Sequence, residues 1–128
     1  MTSAEAIEPL SGRRVLVVED EFFIADDLAR SLARLGGEVV GPVPTCEQAL
    51  GLLSGPERID LAVLDIDLRG ESAFPIADAL TERGVPFLFA TGYEQASVPD
   101  RFRHRPLWEK PFDPDNLVRA LPGLSEGS

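Results

Sequence analysis

"LAVLDIDLRGES" (Leu61–Ser72) runs four apolar residues straight into two aspartates, Asp65 and Asp67, with only Ile66 between them. A short apolar run without polar alternation marks a strand covered on both faces, the habit of parallel sheets. The same pattern recurs twice. "RRVLVVED" (Arg13–Asp20) is valine-rich and ends in Glu19 and Asp20, and "VPFLFAT" (Val85–Thr91) stays apolar until Thr91. Residues two apart in an extended chain project to the same side, so Asp65 and Asp67 are expected to point together. Read locally, the pair has three meanings. Asp65 is a phosphoacceptor, or the two are nucleophile and acid of an aspartyl phosphatase, or both are polar residues opening a loop.

Between the apolar runs hydrophobic residues recur at helical spacing. Ile24, Leu28, Leu32 and Leu35 form a helical stripe, Asp26 and Arg30 an i,i+4 pair outside it, and Gly36–Gly37 a stop. "EVVGPV" (Glu38–Val43) reads as a short strand whose Pro42 suits an edge or a strand end. Thr45 with Gln48 forms a capping-box pattern before a helix burying Cys46, Ala49, Leu50 and Leu53, which Gly55–Pro56 ends. "SAFPIADALTERG" (Ser72–Gly84) is a helix if Pro75 falls in its first turn and Gly84 closes it. "LWEK" (Leu107–Lys110) is a short fifth strand; Asp113 as N-cap and Pro114 at the first helical position open a last helix. Only residues 94–106, with Pro99 and Pro106 and no apolar stripe, break the alternation, so the fourth helix is expected to be short, irregular or absent. The pattern predicts an α/β fold: a (βα)5 doubly wound, parallel five-stranded sheet with its site at the carboxyl ends of the strands.

At 128 residues the chain suits one domain, expected over 12–122 between disordered tails at 1–11 and 123–128. Its net charge of −10 argues against nucleic acid, and Arg101, Arg103, His104 and Arg105 are the one cationic cluster, either a solvated loop or a docking patch for a protein. No apolar run is long enough to span a membrane, no secretory signal is visible, and the single Cys46 fits a reducing cytoplasm and a core position. Asp78 and Glu82 read as a solvated helix face.

In this fold Glu19, Asp20, Asp65, Thr91 and Lys110 all sit at strand ends, gathered on one rim. Three carboxylates there repel one another, and a hard cation such as Mg²⁺ relieves that. A hydroxyl and an ammonium facing the same point suit the oxygens of a phosphoryl group. Glu19 and Asp20 as mere caps of the first helix is the plainer reading.

These residues carry a resemblance. Over residues 13–121 the chain resembles a bacterial response-regulator receiver domain (CheY-like), through Glu19–Asp20, Asp65 in "VLDIDL", Thr91 in "FATGY" and Lys110 in "EKPF". The resemblance implies strand order 2-1-3-4-5, with Asp65 phosphorylated by a sensor histidine kinase or a phosphotransfer protein. It further implies Mg²⁺ held by Asp20, Asp65 and the backbone carbonyl of Asp67, with Glu19 acting through a metal-bound water. Thr91 and Lys110 would contact the phosphoryl oxygens, and the Lys110–Pro111 bond would be cis. "FLFATGY" is similar to the FATGUY group of receivers, which implies a stand-alone regulator and a kinase of the HWE or HisKA2 type. The usual switch aromatic, three residues before the lysine, is Leu107 here, with Trp108 on the opposite parity; Tyr93 is the candidate to share its role. The downstream protein target is expected to dock on residues 93–109. Two rivals stand beside this reading. One is a haloacid-dehalogenase-type phosphatase using the D-x-D of Asp65 and Asp67, which gives Glu19–Asp20 no task. The other is a receiver-like binding module that works without phosphorylation.

Overall fold

In the computed structural model, which describes residues 9–92 and 98–124, the three apolar runs lie side by side inside one parallel sheet. Strands β1 (Arg14–Val18), β2 (Glu38–Val43), β3 (Leu61–Asp65), β6 (Phe87–Thr91) and β7 (Leu107–Glu109) are ordered β2-β1-β3-β6-β7. All four pairings are parallel, with Val15 opposite Leu61 and Ala62 opposite Phe87. Every residue of β3 and β6 is buried, the expected consequence of covering both faces. Between β3 and β6 a two-stranded antiparallel hairpin, β4 (Asp67–Leu68) and β5 (Glu71–Ser72), stands apart from the sheet. The pattern of the sequence had suggested no such element.

Strand alternation divides the core in two. Leu16, Val18, Ala62, Leu64, Phe87 and Phe89 face α2 (Cys46–Ser54) and α3 (Phe74–Glu82). Val15, Val17, Leu61, Val63, Leu88 and Ala90 face α1 (Phe22–Arg34) and α4 (Pro114–Ala120) through Leu28, Leu32, Leu117 and Val118. The local signals behave as expected. Asp26 and Arg30 pair at 2.9 Å, Pro75 lies in the first turn of α3, and the Asp113 side chain accepts from Asp115 N–H at 2.9 Å. Thr45 accepts from Gln48 N–H at 3.1 Å, but Gln48 Oε1 takes the Thr45 hydroxyl rather than a backbone N–H, so only half of the capping box forms. Pro42 lies on edge strand β2, beside a register shift opposite Leu16–Val18. Gly41 there has φ +94, and a Cβ would fall 2.8 Å from Val43 N. The bonds Gly41–Pro42 and Lys110–Pro111 are both cis, the second as the resemblance implied.

Two boundaries differ from expectation. Leu10 is fully buried and its N–H reaches Leu35 O at 3.0 Å, so the stretch taken as a tail through residue 11 already belongs to the core at Leu10. At the other end the chain turns through Leu121–Gly123 and Leu124 packs against the α1/α4 core, past the expected limit of 122. Asp78 lies on the solvated face expected of it, where it holds Arg101 in a two-pronged pair at 3.0 Å. Among the described residues of the fourth crossover the one helical element is a 3₁₀ turn, Asp100–Phe102. Tyr93 lies outside the described residues.

Candidate functional site

The parallel register decides what meets at the rim. β1 and β3 are neighbours, so Glu19 and Asp20, just past β1, face Asp65 at the end of β3. Asp65 pairs with Ala90, which puts Thr91 one step beyond on the next strand, and Lys110 N–H donates to Thr91 O at 2.8 Å beyond the end of β7. Lys110 Nζ then reaches Asp65 Oδ2 at 3.0 Å, Glu19 Oε2 at 3.0 Å and Glu21 Oε2 at 3.4 Å. Carboxylate oxygens of Glu19, Asp20 and Asp65 all lie within 4.8 Å of one another. Asp65 is 4% exposed, Glu19 3%, and Thr91 is wholly buried.

Burial sets the electrostatics. Removal from water, reinforced by the neighbouring Glu19 carboxylate, pushes the Asp65 carboxyl up to about 8 despite the opposing Lys110 ammonium. Burial also works against the Lys110 charge, but its bonds to Asp65 and Glu19 outweigh that and hold its pKa above the ordinary lysine value. One ammonium thus serves two buried acids, with the exposed Glu21 at its outer side. The shortfall is visible in one atom: Glu19 Oε1 is buried and finds no hydrogen-bond partner among the described residues. A carboxylate oxygen without a donor, in a cluster of three carboxylates, fits a hard divalent cation.

Asp67 behaves differently from Asp65. β3 ends at Asp65, the chain bends at Ile66, and Asp67 opens the hairpin. Its Oδ1 accepts from Gly70 N–H at 3.0 Å, while its own N–H donates to Asp65 Oδ1 at 3.2 Å. The two carboxylates therefore do not act side by side, because the strand that would align them stops between them. An acid whose oxygen is occupied within a tight turn is badly placed to protonate a leaving group, which counts against the D-x-D phosphatase. As a cap of α1, Glu19 contributes one bond, from Glu21 N–H at 3.1 Å, and Glu21 itself makes no side-chain cap.

Around this centre other candidates separate. Leu107 packs on the α2/α3 side of the sheet and Trp108 on the α1/α4 side, as their parity requires. The arginine cluster is not one patch. Arg101 is tied to Asp78 and Arg103 to Asp100. Arg105 is buried over the Phe87 ring at 4.2 Å, where burial lowers its pKa, and only His104 and the outer arginines face solvent. Cys46 is a core residue whose thiol burial pushes up, helped by Glu71. Three rim residues escaped the sequence reading: Arg69, whose Nε lies 3.5 Å from Asp20, and the exposed Phe22 and Phe23. The phenylalanines had a signal, since neither belongs to the stripe of Ile24, Leu28 and Leu32.

A 2-1-3-4-5 parallel sheet carrying acids at the ends of its first and third strands and a lysine past its fifth defines a class, and the comparisons agree on which. No family model matches the chain. SdrG from Sphingomonas melonis Fr1 is 43% identical, with a TM-score of 0.74 over 88% of this chain and 93% of that one. SdrG has also been solved in a BeF3-activated conformation, which matches at 44% identity and a TM-score of 0.69 over 84% of this chain and 91% of that one. The response regulator PhyR from Brucella abortus is 30% identical, TM-score 0.70, over 92% of this chain and 49% of that one. The transcriptional regulatory protein PdtaR of Mycobacterium tuberculosis is 30% identical over 94% of this chain and 58% of its own length. The chain belongs to the response-regulator receiver domains of two-component signal transduction. It spans about half the length of the curated relatives it matches. Among the described residues no helix is long and apolar enough to cross a membrane.

Proposed function

We propose that the chain is a phosphoacceptor of a two-component phosphorelay, with Asp65 as the residue phosphorylated. The observation carrying this is the position of Lys110 Nζ, 3.0 Å from both Asp65 and Glu19 over a three-carboxylate cluster. In the transfer an Asp65 carboxylate oxygen forms a bond to phosphorus as the phosphorus–nitrogen bond of a phosphohistidine donor breaks, and the imidazole leaves with the electron pair. Glu19, Asp20, Asp65 and the Asp67 carbonyl would hold Mg²⁺, which supplies charge neutralisation for the incoming phosphoryl oxygens. Lys110 exchanges a carboxylate partner for a phosphoryl oxygen, and Thr91, one strand over, offers a hydroxyl to another. Catalysis of this kind is limited to the chain's own aspartyl phosphorylation and dephosphorylation; it turns over no separate substrate.

The donor is a histidine kinase or a phosphotransfer protein, with the HWE or HisKA2 type favoured by the "FLFATGY" likeness. The output is a protein contact on the 93–109 side rather than nucleic acid, in keeping with a charge of −10 and a cytoplasmic setting. Incubation with Mg²⁺ and acetyl phosphate tests the chemistry. The expected result is a mass gain of one phosphoryl group in the wild type and none in Asp65→Asn. Failure with acetyl phosphate and with a cognate kinase alike would favour the phosphorylation-independent binding module.

A further inference from the structure

Arg69 is the one non-glycine residue with positive φ among the described residues, and it stands at the rim of the site. The hairpin explains the backbone. Asp67 pairs with Ser72 and Leu68 with Glu71, leaving a two-residue turn in which Arg69 has φ 55 and Gly70 φ 90. That is the geometry of a type I′ turn, which favours asparagine, aspartate or glycine at its first position. A long cationic side chain is a poor choice for the turn itself and costs conformational energy there. Its position offers a reason. Arg69 Nε lies 3.5 Å from Asp20 Oδ2, and the Asp20 side chain is only 13% exposed while that of Arg69 is 80% exposed. Lys110 serves Asp65 and Glu19, and among the described residues Arg69 supplies the cation that pairs with Asp20.

We propose that Arg69 is an intrachain competitor for the divalent cation: its guanidinium occupies the outer side of the acidic cluster through Asp20 and must give way when the cation binds. This rests on the reading of Glu19, Asp20 and Asp65 as a metal site. The competition is mild, because a half-exposed ion pair is worth at most about 1 kcal/mol, or about fivefold in an equilibrium. Arg69 therefore raises the cation concentration at which the site loads, without blocking it.

Isothermal titration of the apo chain with MgCl₂ tests this. Arg69→Asn keeps a residue suited to the turn and removes the guanidinium, and Arg69→Ala repeats the removal with a different turn residue. Both are expected to bind Mg²⁺ about two- to fivefold more tightly than the wild type at low salt, the gain shrinking as NaCl rises. Arg119→Ala removes the same formal charge from the exposed side of α4 and is expected to leave the affinity within about 1.5-fold, since charge loss far from the rim is screened. Saturable binding that is equal in the wild type and both Arg69 variants, or raised as much by Arg119→Ala, would overturn the inference alone. Absence of saturable binding in the wild type would overturn the metal site and the inference together.

Discussion

A carboxyl placed among other acids under the surface cannot ionise as freely as one in water, and Asp65 carries that constraint. Its pKa in the folded chain, about 8, lies above the ordinary 3.8, so the folded state keeps a proton that the unfolded chain has given up. Stability of the metal-free protein should therefore fall as pH rises from 3.8 to about 8 and level off above that. Asp65→Asn has no proton to lose, so its advantage in Tm over the wild type is expected to widen across that window. A gap that stays constant from pH 5 to 8.5 would contradict the assignment. Added Mg²⁺ should narrow the gap, because it stabilises the ionised wild type and has less to hold in the variant. At this scale the sequence showed much: five polar residues at four strand ends identify themselves once the apolar runs are aligned. Read locally, it left Asp65 and Asp67 equivalent, and only the family resemblance told them apart. Their equivalence assumed an extended chain through Ile66, and nothing local announces that the strand stops one residue earlier.

Elements differ in how much of their purpose is local. α1 is specified by its own stripe, with Leu28 and Leu32 fully buried, and its Asp26–Arg30 pair forms as spacing dictates. Its first two residues obey another demand. Phe22 and Phe23 are 73% and 80% exposed, packed edge to face at 5.5 Å, directly after Glu19–Asp20–Glu21. Two bare aromatic rings beside a site proposed to accept a phosphoryl group are suited to contact with a donor protein. The double substitution Phe22→Ser/Phe23→Ser should slow phosphotransfer from a cognate kinase at least tenfold. Labelling by acetyl phosphate should stay within about twofold, because the small donor needs no docking. Equal slowing with both donors would mean that the rings support the site itself. The β4–β5 hairpin is the element the sequence concealed. Two-residue strands carry no periodicity, and "RG" is a weaker turn signal than "NG". Arg69→Asn, besides freeing the acidic cluster, should raise Tm slightly by suiting φ 55 better.

For the molecule as a whole, the fourth crossover asks how a doubly wound sheet closes where the alternation of strand and helix lapses. Sequence reading found the lapse, since residues 94–106 have neither stripe nor caps. It could not find what the described residues of this crossover bring to the core, because the contacts are between side chains distant in sequence. Phe102 is 2% exposed, stacks on Phe74 of α3 at 5.8 Å, and meets Phe89 and Phe87 edge-on at 5.8 and 6.2 Å. Val98, four residues before it, is buried in the same cluster. Arg101 ties the same turn to Asp78. Among the described residues of this crossover, Phe102 and Val98 thus pack into the core while one exposed ion pair ties the turn to α3. Truncating such a ring should cost about 3–5 kcal/mol, a large part of what a domain of this size possesses. Phe102→Ala is therefore expected to lower the urea midpoint steeply, whereas Arg103→Ala, on the exposed side of the same turn, should change stability by less than about 0.5 kcal/mol. If Phe102→Ala costs under about 1 kcal/mol, the crossover is held by something other than the aromatic cluster. If the loss is full but Asp65 is still phosphorylated in the folded fraction, the anchor supports the architecture and the rim chemistry stands on β1, β3 and Lys110 alone.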